Sequence, residues 1–282
     1  MLNVGCGSRS HPDWVNIDAA PRGPGVFQHD ATRPLPFDDA SCDVVYHSAM
    51  LEHIRQPDVL PFLKECRRVL KSGGTLRIAV PDLERLCILY IEKLQAAGNG
   101  DTEAARDYQW IMIEMFGQAV RERSGGEMLS YLRQDPIVNL QFVLDRIGEE
   151  GRQLVRLLTY QRNVISAPRA DGSLMEKLLR TGRNVPRRIH RLLLTVLLGP
   201  GGMRALDIGL FRLSGEVHQW MYDRFSLSQL LLESGFETPR VCKPTESQIR
   251  GWASFNLDTL EDGTVIKPDL FYMEAIRPRQ SG

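Results

Sequence analysis

The 282-residue chain carries 35 basic and 35 acidic side chains, with 43% hydrophobic and 25% charged residues. That composition fits one large globular domain, or one domain with an insertion, and its zero net charge excludes a partner chosen by bulk charge, nucleic acid included. The five cysteines (Cys6, Cys42, Cys66, Cys87, Cys242) are scattered, odd in number and without a CxxC pair, which fits reduced cytosolic thiols better than a disulfide framework or a zinc site, and no metal is expected.

Residues 1–80 read as alternating strands and helices. Residues 2–4 form a short apolar strand running into Gly5-Cys6-Gly7, and 14–18 form a second, ending at Asp18. A further short strand precedes "HDATRPLPF" at 29–37, and 42–49, with its β-branched centre, is another. Leu60, Leu63, Cys66, Val69 and Leu70 recur at helical spacing over 57–70. Gly73 and Gly74 are expected to stop that helix. Residues 75–80 alternate as a strand halted by Pro81. Such alternation implies a mostly parallel sheet with helices on its faces.

From 82 to 213 the pattern is helical throughout, over 83–97, 103–123, 138–159 and shorter pieces. The stretch is too long for a crossover and too periodic for a loop. The expectation is an α/β protein with a Rossmann-like sheet, helices on both faces and a large helical insertion. The sheet domain would be 1–81 and 214–282; 82–213 would be a lid that recognises the acceptor. Residues 225–236 read as a helix capped by Ser226 with Gln229 in a capping box and closed by Gly235. Residues 239–243 and 270–278 are the last strands, with a turn at 261–263 between them.

The glycine loop selects among ligands. A dinucleotide site would need G-x-G-x-x-G opening a helix and an acid about 20 residues on. The sequence here is "GCGSRS", Pro12 interrupts the link, and Asp18 follows Gly7 by 11 positions. A pyrophosphate is disfavoured and a phosphate-free nucleoside fits better. A glycine turn with no ligand is the alternative. Asp18 at a strand end suits two ribose hydroxyls, and Asp30, next to Ala31, suits an adenine amino group. Residues 46–54 lie at the sheet edge where ligands bind in open α/β folds.

Together "LNVGCG", "NID", "HDA" with "LPF", "DVVYHSAMLEHI" and "RRVLKSGGTLRIAVPD" resemble class I S-adenosylmethionine-dependent methyltransferases of the type 11 kind. The resemblance covers about 1–85 and, more loosely, 214–278. It implies S-adenosyl-L-methionine as cofactor, with Gly5, Cys6 and Gly7 near its methionine part, Asp18 at the ribose, Asp30 and Ala31 at the adenine, and Ser48 near the sulfonium. The family usually has a helix between its first two strands. This chain has room only for a turn, and Trp14 is expected to cover the surface that helix would hide. A narrower resemblance, to bacterial methyltransferases associated with surface-polysaccharide synthesis, rests on "HPDWVNID", "VPDLE", "YQWIMIEMFGQAVRERSGGEM" and "GEVHQWMYDRFSLSQLLLESGF". An Asp is expected there before Gln118, where this chain has Gly117.

Methyl transfer to a hydroxyl needs positioning, exclusion of water and a general base, for which histidine suits neutral pH. His47, His53 and His218 are the candidates, with His53 and His218 carried forward as catalytic. For His53, beside Glu52, packing or capping is the alternative. Trp220 and Tyr222, near His218, are expected to wall a sugar site, the alternative being junction core. Arg121 is expected to meet an acidic acceptor, the alternative being a solvated helix end. The implied activity is O-methylation of a glycan-type or other small-molecule hydroxyl; the competing reading is a binding or regulatory protein without turnover. Six cations between Lys177 and Arg191, followed by the apolar run 192–199, suit an anionic membrane surface or a packed lid helix. With no signal peptide and that run far short of roughly 20 residues, a cytoplasmic protein is expected, peripheral at the inner face of the membrane if the basic stretch engages lipid.

Overall fold

The computed structural model describes the backbone of residues 1–166 and 185–279, and the side chains of 1–162 and 193–279. Seven strands form one sheet in the order β3-β2-β1-β4-β5-β7-β6. They are β1 Leu2–Val4, β2 Val15–Asp18, β3 Val26–Gln28, β4 Cys42–Ser48, β5 Leu70–Pro81, β6 Glu237–Cys242 and β7 Leu270–Ile276. The pairs from β3 through to β5 are parallel, whereas β7 runs antiparallel to both β5 and β6. The first two strands to pair, β1 and β2, place Gly5 and Asp18 at the same carboxyl edge. In such sheets that edge is where ligands bind.

Alternation along β4 divides the core. Val45 faces the cluster built from β1, β5 and β7 with Phe62, Leu63 and Cys66 of α1 (Gln56–Val69) and Leu227 and Leu231 of the helix after the insertion. Val44 and Tyr46 face the other side, where Trp14, Ile249, Trp252 and Leu257 cover them. Trp14 is 4% exposed and packs edge-on against Tyr46, Trp252 and Phe255. It therefore covers the sheet beside the short β1–β2 link, as expected, but in company with a 3₁₀ turn at Trp252–Phe255. Buried Asn3 and Asn16 pin the link: Asn3 Nδ2 donates to Arg9 O and Asn16 Oδ1, and Asn16 Nδ2 donates to His11 O and Trp14 O.

Between β5 and residue 213 the described residues form helices and no strand. These are α2 (Leu83–Gly98), α3 (Thr102–Met112), a π-helical turn Ile113–Gly117, α4 (Gln118–Val120), α5 (Gly126–Leu132), α6 (Leu140–Ser166) and α7 (Val185–Arg212). They share an apolar cluster of their own around Leu86, Trp110, Ile111, Leu132 and Val143. At Gly148 (φ 60, ψ −147) α6 breaks, and a Cβ there would stand 2.4 Å from Ile266 O, so the position takes glycine. This close approach seats the helical segment on the C-terminal part of the chain.

Three local expectations are corrected. α1 stops at Val69, not at the glycines: buried Leu70 already pairs with Cys42, and Gly73-Gly74 lie inside β5 at a register shift. The helix after the insertion, α8 (Arg224–Glu233), is capped by Asp223, with Ser226 as the reciprocal partner three residues on. Finally, the helix over 103–123 ends at Val120, and Gly125-Gly126 open α5.

Candidate active site

All seven residues assigned to the cofactor line one cavity of about 550 Å³: Gly5, Cys6, Gly7, Asp18, Asp30, Ala31 and Ser48. The loop leaving β1 turns at Gly5 (φ +64), where a Cβ would lie 2.4 Å from Met50 Cγ. Gly7 (φ +54) has open space where its Cβ would stand. Asp18 holds this loop, accepting from Gly7 N through Oδ2 and from Ala20 N through Oδ1, both at 2.8 Å. Each carboxylate oxygen retains a lone-pair direction for a ligand hydroxyl. Burial, then the nearby Asp18 charge, pushes the Cys6 thiol up to about 11, so it stays protonated and lines the wall passively. Asp30 is held below the usual carboxylate range by the Thr32 hydroxyl and backbone N–H.

The cavity is closed above the sheet edge by Arg121 and Glu150 from the helical segment and by Ser214, Gly215 and Glu216 where it rejoins the sheet. Ala49, just after β4, sits in the left-handed region (φ 49), a strained conformation of the kind that clusters at functional sites. A second cavity, also about 550 Å³, adjoins the first and shares Ala49, His53, Arg121, Glu150 and Lys267 with it. Its far wall is apolar, from Met128, Leu129, Leu132, Ile147 and Leu154, and its near wall carries Glu52, Gln118, His218 and Asp269.

His53 and His218 meet at this junction, ring centroids 4.7 Å apart and edge to face. The 3₁₀ turn Leu51–His53 and the segment after the insertion are bound together by backbone hydrogen bonds from Gln219 N and Trp220 N to Glu52 O. His218 N in turn donates to Gln118 O. Burial, with Arg121 and Lys267 nearby, lowers His53 to about 4 and His218 to about 3. Both imidazoles are thus neutral at physiological pH. Burial raises Glu52 to about 8 and, with the neighbouring Glu114 charge, Asp269 to about 6.

The remaining candidates fall apart in space. Arg121 lines both cavities; it sits just past α4 in extended backbone, donates to Glu216 O and stacks over Phe211. Tyr222 is fully buried in the sheet core, where its hydroxyl accepts from Gln56, and Trp220 is 52% exposed outside both cavities. The expected aromatic wall is therefore not formed by this pair, because the strand-like bridge Asp82–Tyr222 turns Tyr222 into the core. His47 is a core residue against Phe62. Sequence reading missed Glu150, Lys267 and Asp269. Lys267 pairs with Glu150 at 3.2 Å, and no local motif announces residues brought together over more than a hundred positions.

Residues 13–78 match the family model described as a methyltransferase domain.

The family match thus takes in β2, β3, β4, α1 and most of β5 and stops short of the helical segment. Over an alignment of 100 residues the chain is 31% identical to a Mycolicibacterium smegmatis protein named "Probable S-adenosylmethionine-dependent methyltransferase/", covering 29% of this chain and 38% of that protein. Solved methyltransferases from Thermotoga maritima (12% identity, TM-score 0.36, 98% of this chain and 81% of that one) and Methanosarcina mazei (16%, 0.37, 99% and 92%) are also similar. The fold rests on the strand order.

Proposed function

We propose that the chain is an S-adenosylmethionine-dependent methyltransferase acting on a hydroxyl of a glycan-type or other small acceptor. The observation that carries this reading is the pair of adjoining cavities, one lined by the whole set of cofactor candidates and the other walled by the helical segment. In this reading 82–213 is the acceptor-recognising lid over the sheet domain of 1–81 and 214–282. The match to the Mycolicibacterium protein, and its name, support the choice of cofactor.

The residues present fit the group. Gly5 and Gly7 allow close backbone approach, Asp18 has acceptor capacity left for ribose hydroxyls, and Asp30-Ala31 and Ser48 lie on the same cavity wall. When bound, the sulfonium supplies an already activated methyl group, so the protein's work is to orient the acceptor and exclude water. His53 and His218 are the catalytic candidates. Their lowered basicity suits them to accept a hydrogen bond and aim a hydroxyl, more than to hold its proton. Arg121 offers a cation to an acidic acceptor. The apolar wall of the second cavity suits the body of a sugar ring or another small molecule.

Calorimetry with S-adenosylmethionine and S-adenosylhomocysteine tests the cofactor; no heat of binding by the intact protein sinks the proposal. Transfer of labelled methyl from the cofactor to a cell extract then tests turnover. Binding without any transfer would favour the non-catalytic reading. His218→Ala is expected to lower turnover and leave cofactor affinity unchanged.

A second feature favours a membrane-surface location. α7 exposes Val196 (77%) and Leu197 (79%) to solvent, and Leu213 (84%) follows directly after it. The stretch Leu193–Arg212 is, by length and composition, apolar enough to cross a bilayer, with mean hydropathy 1.3 and only 6% of it buried. The apolar stretch is therefore longer than the run 192–199 indicated. The break at Gly199 (φ 66), Pro200, and the charges Arg204 and Asp207 favour lying in the interface over spanning it. Of the basic stretch, Lys177, Arg180 and Arg183 lie outside the described residues, as do the side chains of Arg187, Arg188 and Arg191.

A further inference from the structure

We propose that Glu52, His53 and His218 form a binding site for one divalent first-row transition-metal ion, zinc-like in its preference. The reading of the cysteines pointed to no metal, and these three residues are separated by more than 160 positions between His53 and His218. The fold assembles them. One ligand atom from each lies within 4.8 Å of the other two, and Glu52 Oε1 stands 4.0 Å from His53 Nε2. Two imidazoles and one carboxylate are a borderline nitrogen and oxygen donor set that suits zinc and its neighbours and leaves coordination positions open.

A second observation separates this cluster from a chance gathering. The Glu52 side chain is 1% exposed, and Oε2 has no hydrogen-bond partner among the described residues. His53 Nδ1 is likewise buried and unpartnered. A buried carboxylate without a cation or donors is costly, and proteins retain such groups where they are paired or ligate a metal. Arg121 and Lys267 also border the junction, but Lys267 is engaged by Glu150 and Arg121 by the Glu216 carbonyl. The carboxyl of Asp269 lines the same cavity. The backbone tie from Gln219 and Trp220 to Glu52 O holds the three ligands on one rigid seam.

The three residues line the second cavity, and His53 also borders the first. An ion there would take an oxygen of the acceptor as a further ligand and make a hydroxyl easier to ionise. That role rests on the methyltransferase reading; the ion site itself does not.

The test is titration of chelator-stripped, full-length protein with Co²⁺, followed by visible absorption, with Zn²⁺ as competitor. One saturable equivalent per chain is expected, with ligand-field bands and no sulfur-to-metal charge-transfer band, which separates this site from the exposed Cys87 thiol. Glu52→Gln and His53→Ala should each weaken binding by at least about tenfold, with circular dichroism reporting that they fold. No saturable Co²⁺ binding by the unaltered protein overturns the proposal without any variant. So does binding that folded Glu52→Gln and His53→Ala leave unchanged. Calorimetry with S-adenosylhomocysteine on the metal-free protein reports the cofactor reading separately, so either can fail alone.

Discussion

Asp18 serves the loop before it serves any ligand. Its two oxygens accept Gly7 N and Ala20 N, so the carboxylate shapes the glycine turn from the next strand. Asp18→Ala removes this support together with the ribose contact proposed for it. Cofactor affinity, measured by calorimetry, should fall by at least about 1 kcal/mol, the scale of one or two lost hydrogen bonds. His47 makes a different prediction. It is fully buried, neither ring nitrogen has a partner among the described residues, and burial lowers it to about 3 from an ordinary 6.5. The unfolded chain gains a proton as pH falls through 6.5 while the folded chain does not. Stability is therefore complete above that pH and is lost on acidification towards 3, at up to about 1.4 kcal/mol per pH unit. Urea unfolding at pH 7 and pH 5 should show a smaller loss in His47→Leu than in the unaltered protein.

At the scale of elements, β5 and β7 are joined by more than their ladder. Arg77 of β5 is fully buried and pairs with Asp258 and with Glu274 of β7. It also donates to the carbonyls of Lys243, Pro244 and Glu246, and it stacks on Trp252 with its guanidinium carbon 4.4 Å from the ring centroid. Burial alone would lower its pKa; the Asp258 and Glu274 charges outweigh that and raise it. One side chain thus anchors the long excursion between β6 and β7, which delivers Leu257, Asp258, Ile266 and Lys267 to the cavity. Arg77→Met leaves Asp258 buried without its cation and Glu274 with Arg240 alone, 3.6 Å away. A loss of about 3–5 kcal/mol is expected in denaturant unfolding. Tm should fall while binding of S-adenosylhomocysteine weakens with it.

For the whole molecule, the helical segment and the sheet meet at Gly148, at the Lys267–Glu150 pair and at the junction 214–222. These contacts enclose the two cavities. The exposed apolar face of α7 takes no part in them. Val196→Asp with Leu197→Asp should leave Tm unchanged, because both residues are solvent-exposed in the folded chain. The same pair should abolish co-sedimentation with anionic liposomes. Retained co-sedimentation would assign the lipid contact, if any, to another surface.

The α/β alternation, the glycine turn, Asp18 and Asp30 were legible in the chain because each is set by spacing over a few residues. Turn geometry needs glycine at a particular position, and an acid at a strand end follows from the strand pattern. The same local rules placed the helical segment between β5 and residue 214. They failed where burial decided. Leu70 extended β5 through the glycines, Asp223 displaced Ser226 as cap, and Tyr222 went into the core although its neighbours read as a pocket wall. The amino-acid order by itself determined most of the elements and where the glycine loop lies, since short-range hydrogen bonding and periodicity dictate both. Only the tertiary structure decided that Glu52, His53 and His218 share one seam, that Glu150 and Lys267 close the cavity, and that Arg77 anchors the wall beneath it. Those meetings depend on packing between segments far apart in the chain, for which no local pattern is required.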